Sequence, residues 1–173
     1  MNNNKEVIEG KYEVAGSRII SLPIYFASLP EKIHVEGREF GRRTSFHISL
    51  VCMERMVRKY GLSIPDLGAK VVEDFREFVR SNDIRFLRYR DEFRMVAFDG
   101  RCSIVVMCDV SGIGAFFDLI NKKYGLKLDA QPTHVTLYTL KNDLGIYLID
   151  QDDIQKITKV IPNPLGIAPE RLN

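Results

Sequence analysis

The sequence predicts an α+β fold. Short apolar, β-prone runs alternate with amphipathic segments of helical period, and the connections between them are short. An Asp99-Gly100 dipeptide between two apolar runs indicates a tight β-hairpin. At 173 residues the chain has the usual length of one domain and can bury a substantial core. We therefore expect one domain spanning residues 1–173.

The first half of the chain predicts two strands and one long helix. A polar arm, residues 1–16, precedes a strand from Ile19 to Phe26. Glycine and arginine residues between Glu36 and Arg43 indicate a loop, which ends at a second β-prone run from Phe46 to Leu50. Between Asp66 and Ser81 apolar residues recur at helical spacing with charged residues opposite, which predicts an amphipathic helix covering a sheet.

The middle of the chain predicts an antiparallel meander. Its three strands run from Ile84 to Tyr89, from Phe93 to Phe98 and from Cys102 to Val110. The Asp99-Gly100 turn connects the last two.

The last third predicts two helices around a further strand pair. Ser111 is the expected N-cap of a helix that stops at Gly125, and a β-prone run beginning at His134 follows it. A turn then leads into a short strand, Ile146 to Ile149, and into a helix from Asp150 to Ile161. Residues 162–173 are expected to form a docked or loose tail.

Composition excludes several classes of protein from the prediction. Hydrophobic residues make up 45% and charged residues 28% of the chain, which predicts neither disorder nor a membrane span. No basic start followed by an apolar block is present, so we expect a cytoplasmic protein. The cysteines are odd in number and lack metal-type spacing, which indicates reduced thiols. They are Cys52, Cys102 and Cys108.

Two of the three histidines occur in the same four-residue frame. The tetrapeptides HISL and HVTL begin at His47 and His134. Because residues two apart in a strand share a face, each frame presents an imidazole beside a hydroxyl, that of Ser49 or Thr136. Facing each other, these groups would supply a proton acceptor, a proton donor and two donors to a bound anion. Such a set of groups suits the cleavage of a phosphodiester.

The paired frames resemble the signature of the two-histidine (2H) phosphoesterase superfamily. The resemblance covers Phe46 to Leu50, Thr133 to Tyr138 and the spacing between them. It implies two-lobed antiparallel sheets flanked by helices, with a central cleft lined by both histidine strands. It also implies the activity of an RNA 2′,3′-cyclic phosphodiesterase or of the related 2′-5′ RNA ligases. Within that family the second histidine is often the base, which would make His134 the base and His47 the acid.

Hydrolysis of a 2′,3′-cyclic phosphate needs only two proton transfers. Water loses a proton as it attacks phosphorus, and the departing ribose oxygen gains one. His47 and His134 are the candidate catalytic residues, and Ser49 and Thr136 are the candidate donors to the non-bridging oxygens. We expect no cofactor and no metal, since neither frame lies near a cluster of metal-type ligands.

Four further residues are candidate substrate contacts. Tyr138 lies two positions after Thr136, so alternation places it on the same face, where it could stack on a nucleobase or form a wall. Arg42 and Arg43 precede the first frame and Lys141 follows the second, and each could contact phosphate or be ordinary surface.

The substrate class stays open at the level of sequence. An RNA end with a 2′,3′-cyclic phosphate, a 2′-5′-linked oligonucleotide, a small cyclic nucleotide and a cyclic oligonucleotide all place a phosphodiester beside a ribose hydroxyl. The net charge of +2 favours a short or end-bound substrate over a long duplex. A module that binds nucleotides or RNA ends without cleaving them is the alternative, and a monomer is favoured in either case.

Overall fold

A large antiparallel sheet dominates the computed structural model, which describes residues 5–15, 19–141, 144–168 and 172. Its ten strands are β1 (Lys5–Ile8), β2 (Tyr12–Ala15), β3 (Ile19–Ile24), β4 (Lys32–Val35), β5 (Arg38–Arg42), β6 (Phe46–Cys52), β7 (Arg85–Phe98), β8 (Arg101–Ser111), β9 (His134–Thr139) and β10 (Thr158–Ile161). The helices in this part of the chain are α1 (Met53–Tyr60), α2 (Leu67–Ser81), α3 (Ile113–Tyr124) and α4 (Gln151–Ile157). The prediction of an α+β fold with antiparallel strands is confirmed.

The strand order is β1-β2-β3-β6-β9-β8-β7-β10, and the β4-β5 hairpin joins the sheet through β9. The two histidine strands, β6 and β9, are therefore the middle strands of this path. The β2-β3 pair precedes β6 along the chain, and the β7-β8 pair precedes β9. The sheet thus has two halves of similar construction that meet where β6 pairs with β9.

The main core lies on one face of the sheet, under α2 and α3. Phe75 of α2 and Phe116 of α3 are fully buried, with ring centroids 5.2 Å apart. A smaller apolar cluster occupies the opposite face and is covered by α4; it consists of Val96, Val105, Met107, Ile146 and Leu148. None of the helices in the described ranges is long and apolar enough to cross a membrane.

Several predicted turns and caps are confirmed. Asp99 and Gly100 both have positive φ, 51° and 70°, as a two-residue hairpin of type I′ requires. Helix α3 ends at Gly125, which adopts the left-handed conformation. The side chain of Asp150 caps α4 by accepting a hydrogen bond from the backbone N–H of Asp153.

The predicted polar arm is wrong for the described residues 5–15, which form the β1-β2 hairpin. Tyr12 fixes this hairpin, since its buried hydroxyl accepts a hydrogen bond from the backbone N–H of Ile84 at 3.1 Å. The predicted loop from Glu36 to Arg43 is also wrong over most of its length. Glu36 and Gly37 make a tight turn, and β4 and β5 pair on either side of it.

In the second half of the chain, the sequence predicts several strand and helix ends at the wrong residues. Arg85–Phe98 is one continuous strand where the sequence predicts two. Its register against β8 is irregular between Tyr89 and Phe93, and the polar residues between these two positions lie in that irregular part. Ser111 ends β8, and Gly112, with φ of 83°, is the N-cap of α3. A Cβ at Gly112 would lie 2.5 Å from the carbonyl oxygen of Asp83, so only glycine fits there.

Two of the C-terminal predictions need correction, and the predicted tail is docked at Leu172. Helix α4 ends at Ile157, and Thr158–Ile161 pairs with β7 as β10. Residues 146–149 are irregular, and positions 142 and 143 of the turn before them lie outside the described residues. In the predicted tail, Leu172 is buried in the main core, and positions 169–171 and 173 also lie outside the described residues.

The sequence interpretation also missed α1, and an ionic cluster attaches this helix to α4. Lys59 Nζ donates to Asp150 Oδ1 at 2.6 Å and to Asp153 Oδ1 at 2.7 Å. Burial acts to raise the pKa of Asp150, but the hydrogen bonds from Lys59 and Tyr60 outweigh that effect and hold the pKa below its ordinary value. The cluster therefore stabilises the fold only while these carboxylates are ionised.

We expect Lys59→Met to lower the free energy of unfolding at pH 7 by about 1 to 2 kcal/mol, because it leaves the buried carboxylate of Asp150 without its cation and removes the closer of the two cations beside Asp153. The lowered pKa of Asp150 means that this stabilisation is present above about pH 4 and is lost as the pH falls through the folded-state value. Urea unfolding at pH 7 and at pH 3 measures the effect, which should shrink at pH 3. Lys156→Met, at an exposed pair on α4, is the control and should change stability little. An equal loss at both pH values would contradict the role of the carboxylates.

Candidate active site

The pairing of the two histidine strands fixes which side chains face each other. Ile48 of β6 lies opposite Val135 of β9, and both are fully buried in the main core. The residues flanking this pair must then point to the opposite face of the sheet. Extending the antiparallel register by one residue each way sets His47 opposite Thr136 and Ser49 opposite His134. The histidines are diagonal neighbours, a relation that places such positions about 7 to 8 Å apart.

These four side chains line one cavity of about 150 Å³. The volume is below the roughly 300 to 1,000 Å³ of pockets that enclose a drug-sized molecule, so it suits a single reacting group. The lining residues are Arg43, Ser45, His47, Ser49, Arg101, His134, Thr136, Leu144, Gly145, Ile146 and Tyr147.

Each histidine strand carries a bulge at the same point of its frame. Against β3, the register of β6 shifts so that Leu50 is an extra residue between Ser49 and Val51. Against β8, β9 shifts in the same way after Thr136, and Leu137 is the extra residue. A bulge reverses the alternation of faces beyond it. The two frames therefore share backbone irregularity as well as sequence.

His134 is buried, and its Nδ1 faces a backbone acceptor. The carbonyl oxygen of Pro132 lies 3.1 Å from Nδ1 of the ring, and a carbonyl can only accept, so Nδ1 carries the proton. Burial lowers the pKa of His134, while the backbone of Pro132 and of Ile146 acts in the opposite direction. Burial therefore favours the neutral ring, whose lone pair lies on Nε2 when Nδ1 carries the proton.

Two guanidinium groups make the cavity positive. Arg43 is anchored by its backbone N–H, which donates to the carbonyl of Leu137 at 2.9 Å. Arg101, the first residue of β8, donates to the carbonyl of Gly145 at 3.4 Å, a long contact that leaves most of its N–H groups for other acceptors. His47 is half-buried beside them. An anion is the ligand that this charge favours.

The irregular segment 144–147 covers part of the cavity. A Cβ at Gly145 would lie 3.2 Å from Oγ1 of Thr136, so the backbone here approaches the hydroxyl closely. Tyr147 is half-buried in the same wall, and burial raises the pKa of its hydroxyl, which remains a hydrogen-bond donor at neutral pH. Leu144 is exposed at the rim.

The structure brings together all four frame residues and one of the flanking cations. His47, Ser49, His134 and Thr136 share the cavity, and Arg43 joins them. Lys141 is exposed and does not line it.

Two predicted contacts face the wrong side of the sheet. The bulge at Leu137 turns Tyr138 into the main core, where the residue is fully buried and its hydroxyl donates to the carbonyl of Pro30 at 3.0 Å. The expected shared face with Thr136 is therefore wrong, and Tyr138 cannot stack on a ligand in the cavity. Arg42 pairs with Tyr138 in the register of β5 and β9, and it donates to the carbonyl of Leu29 at 2.6 Å.

Sequence reasoning missed several wall residues. Ser45 lies two positions before His47, so an extension of the frame by one alternation would have found it. Arg101 reaches the cavity because β8 pairs with β9, a non-local contact without a local signal. Gly145 and Tyr147 belong to a segment predicted as a turn and a strand.

Among the residues that the structure describes, no group of three or more histidine, cysteine, aspartate or glutamate side chains is placed to hold a metal ion. The three cysteines are free and buried, and burial raises the pKa of each thiol. Comparisons of the chain with protein-family models, with curated proteins and with solved structures gave no match.

We expect the imidazole of His134 to titrate below 6.5 in the folded protein, because burial disfavours the charged ring. Its neutral form should carry the proton on Nδ1. Nitrogen-15 NMR of histidine-labelled protein measures both properties, and the same residue in urea should titrate near 6.5. Assignment of the resonance through His134→Gln completes the experiment. A proton on Nε2 of the neutral ring would contradict the hydrogen bond to Pro132.

Proposed function

We propose that this protein is a metal-independent phosphodiesterase of the 2H phosphoesterase type. Its substrate would be a 2′,3′-cyclic phosphate or a 2′-5′-type phosphodiester of RNA or of a nucleotide. One observation carries the proposal. Two imidazole and hydroxyl pairs, one from each middle strand of the sheet, face one cavity of positive charge.

In the proposed reaction His134 is the general base. Its neutral ring takes a proton from water through Nε2 as the water oxygen attacks phosphorus. The proton on Nδ1 stays on the ring and is donated in a hydrogen bond to the carbonyl of Pro132, which stabilises the imidazolium that forms. In its charged form His47 gives a proton to the ribose oxygen as the phosphorus–oxygen bond breaks. One P–O bond forms, another breaks, and the enzyme returns to its starting charge after a proton exchange with solvent.

The other cavity residues would hold the phosphoryl oxygens. Ser49 and Thr136 each lie across from the histidine of the other strand, so one hydroxyl accompanies each proton transfer. Arg43 and Arg101 bring fixed positive charge to the same cavity. Such donors stabilise the negative charge that the non-bridging oxygens gain in the transition state.

An adjoining aromatic cavity supports a nucleotide as substrate. It measures about 270 Å³ and shares Ser45 and His47 with the central cavity. Phe26 and Phe46 lie in its wall with ring centroids 4.7 Å apart. Tyr25 stands beside them with 86% of its surface exposed. Exposed aromatic rings next to a phosphate site are suited to stacking on a nucleobase.

The arrangement of the sheet supports the same family. A 2H protein is expected to have two lobes of antiparallel strands and a cleft between the histidine strands. Here the strand order places β6 and β9 between two halves of similar construction, each with a bulge at the same position. We infer that these halves are the two lobes of a 2H fold.

We expect the protein to convert a nucleoside 2′,3′-cyclic phosphate to a monophosphate in excess EDTA. His47→Ala and His134→Ala should each lower kcat by about 10²- to 10⁴-fold, because each removes one proton transfer. Phosphorus-31 NMR measures the rate and also shows whether the product is a 2′- or a 3′-phosphate. His34→Ala, at an exposed position on β4, is the matched control and should retain full activity.

Each outcome of this experiment is informative. Binding of the nucleotide without product would favour the binding module over the enzyme. Turnover that EDTA abolishes, or that survives both histidine substitutions, would contradict the two-histidine mechanism.

The dependence of kcat/KM on pH should rise and then fall. Activity rises with pH as His134 becomes neutral and falls as His47 loses its proton, with two apparent constants that belong to the pair. Because burial lowers the pKa of His134, the acidic limb should lie below pH 6.5. Initial rates between pH 4.5 and 9 test this expectation, with His34→Ala again as the control. A flat profile would indicate a different proton carrier.

A further inference from the structure

We propose that an arginine-lined cavity beside the central one is a second phosphate site, so that the substrate carries another phosphate group one nucleotide position away from the reacting one. The inference rests on the proposed function and selects among its substrates. It favours a nucleotide phosphorylated at its 5′ position, or an oligonucleotide end, over a bare cyclic mononucleotide.

The second cavity adjoins the first and lies at the far end of β6 from the aromatic cavity. It measures about 350 Å³ and shares Arg101 and Tyr147 with the central cavity. The aromatic cavity includes Phe46, the first residue of β6, whereas this one includes Cys52, the last. Six residues of strand separate these ends by about 20 Å. The central cavity therefore has an aromatic neighbour on one side and a basic neighbour on the other.

Three arginines supply the charge of this second cavity. Arg101 comes from β8, while Arg55 and Arg58 come from consecutive turns of α1. Glu54 and Asp99 also line the cavity, so the sum of formal charges there is positive by one. A phosphate group that carries one negative charge would neutralise this excess.

The guanidinium groups have donor capacity left for such an anion. Their ion pairs are long: 3.9 Å from Arg55 to Asp153 and 3.5 Å from Arg58 to Glu54. Asp153 is already bonded to Lys59 at 2.7 Å and to the backbone N–H of Ile149 at 2.8 Å. Asp153 therefore has closer partners than Arg55, and the guanidinium of Arg55 has N–H groups left for another anion.

A second contact holds Arg55 in position. Its guanidinium lies over the ring of Phe98, 4.4 Å from the centroid, and its side chain is only 19% exposed. Stacking orients the guanidinium plane while leaving its N–H groups available at the edge. An arginine fixed in this way loses little conformational entropy when it binds phosphate.

The chemistry of a nucleotide matches three cavities in a row. In a 2′,3′-cyclic phosphate the base is on C1′, beside C2′, and the 5′ carbon is on C4′, beside C3′, so the two substituents flank opposite ends of the C2′–C3′ edge that carries the phosphate. With the cyclic phosphate between His47 and His134, a base directed to the aromatic cavity directs the 5′ oxygen toward Arg101. A phosphate on that oxygen would then reach the second cavity.

The test compares three substrates that share one nucleoside. They are the 2′,3′-cyclic phosphate alone, the same compound with a 5′-phosphate, and a dinucleotide ending in the cyclic phosphate. We expect kcat/KM to be about tenfold higher for at least one of the last two, the factor given by one charge-assisted hydrogen bond. The better of the two identifies the source as a terminal phosphate or an internal phosphodiester.

Arg58→Gln separates the second site from the reaction. This side chain is 82% exposed and does not line the central cavity, so its substitution should leave folding and turnover of the bare cyclic nucleotide unchanged. It should lower kcat/KM for the preferred substrate by about three- to tenfold. Arg88→Gln is the matched control, at an exposed arginine paired with Asp109. Equal rates on all three substrates, or equal losses on all three in Arg58→Gln, would overturn the proposal.

Failure of the proposed function gives a different result. If no substrate is hydrolysed, calorimetry compares the binding of the nucleoside 3′-monophosphate with that of the 3′,5′-bisphosphate. Roughly tenfold tighter binding of the bisphosphate, lost in Arg58→Gln but not in Arg88→Gln, would support the second phosphate site without catalysis. Equal affinity for the two ligands would exclude it.

Discussion

The candidate site depends on the register in which β6 pairs with β9. With Ile48 opposite Val135, two apolar side chains enter the core and two imidazole and hydroxyl pairs face the cavity. A slip of one residue in either strand would reverse its faces and bury a histidine and a hydroxyl among apolar side chains. The free energy that buries the aliphatic residues of each frame therefore also keeps its polar residues in the cavity. Core packing and site geometry are two results of the same alternation.

Sequence similarity between the frames does not make their histidines equivalent. His134 is buried beneath the segment 144–147 and is bonded to the carbonyl of Pro132, whereas His47 is half-buried beside a second, aromatic cavity. Burial lowers the pKa of the His134 ring, an effect of the surrounding structure and not of the tetrapeptide itself. If the protein is the enzyme that we propose, the assignment of base and acid follows from these surroundings, since the tetrapeptides themselves are alike.

Much of the fold could be predicted because its signals are local. The apolar period of α2, the Asp99-Gly100 turn and the alternation in the two frames are all visible within short windows of sequence. The errors have non-local causes. Tyr138 follows the expected alternation only until the bulge at Leu137, where the register of β9 against β8 shifts. Arg101 and Gly145 reach the cavity through strand order and through a segment without regular structure, neither of which leaves a pattern in the neighbouring residues.

The position of the site between two similar halves of the sheet links its chemistry to complete folding. Each half contributes one imidazole and one hydroxyl, and neither half alone contains a full set. A chain in which only one half has formed would not bring the two imidazoles into one cavity. Cleavage of the backbone in the connection between α1 and α2 would divide the set between two fragments. The site would then form again only if the two fragments associated and β6 paired with β9. Ile48 and Val135 lie at the centre of that pairing.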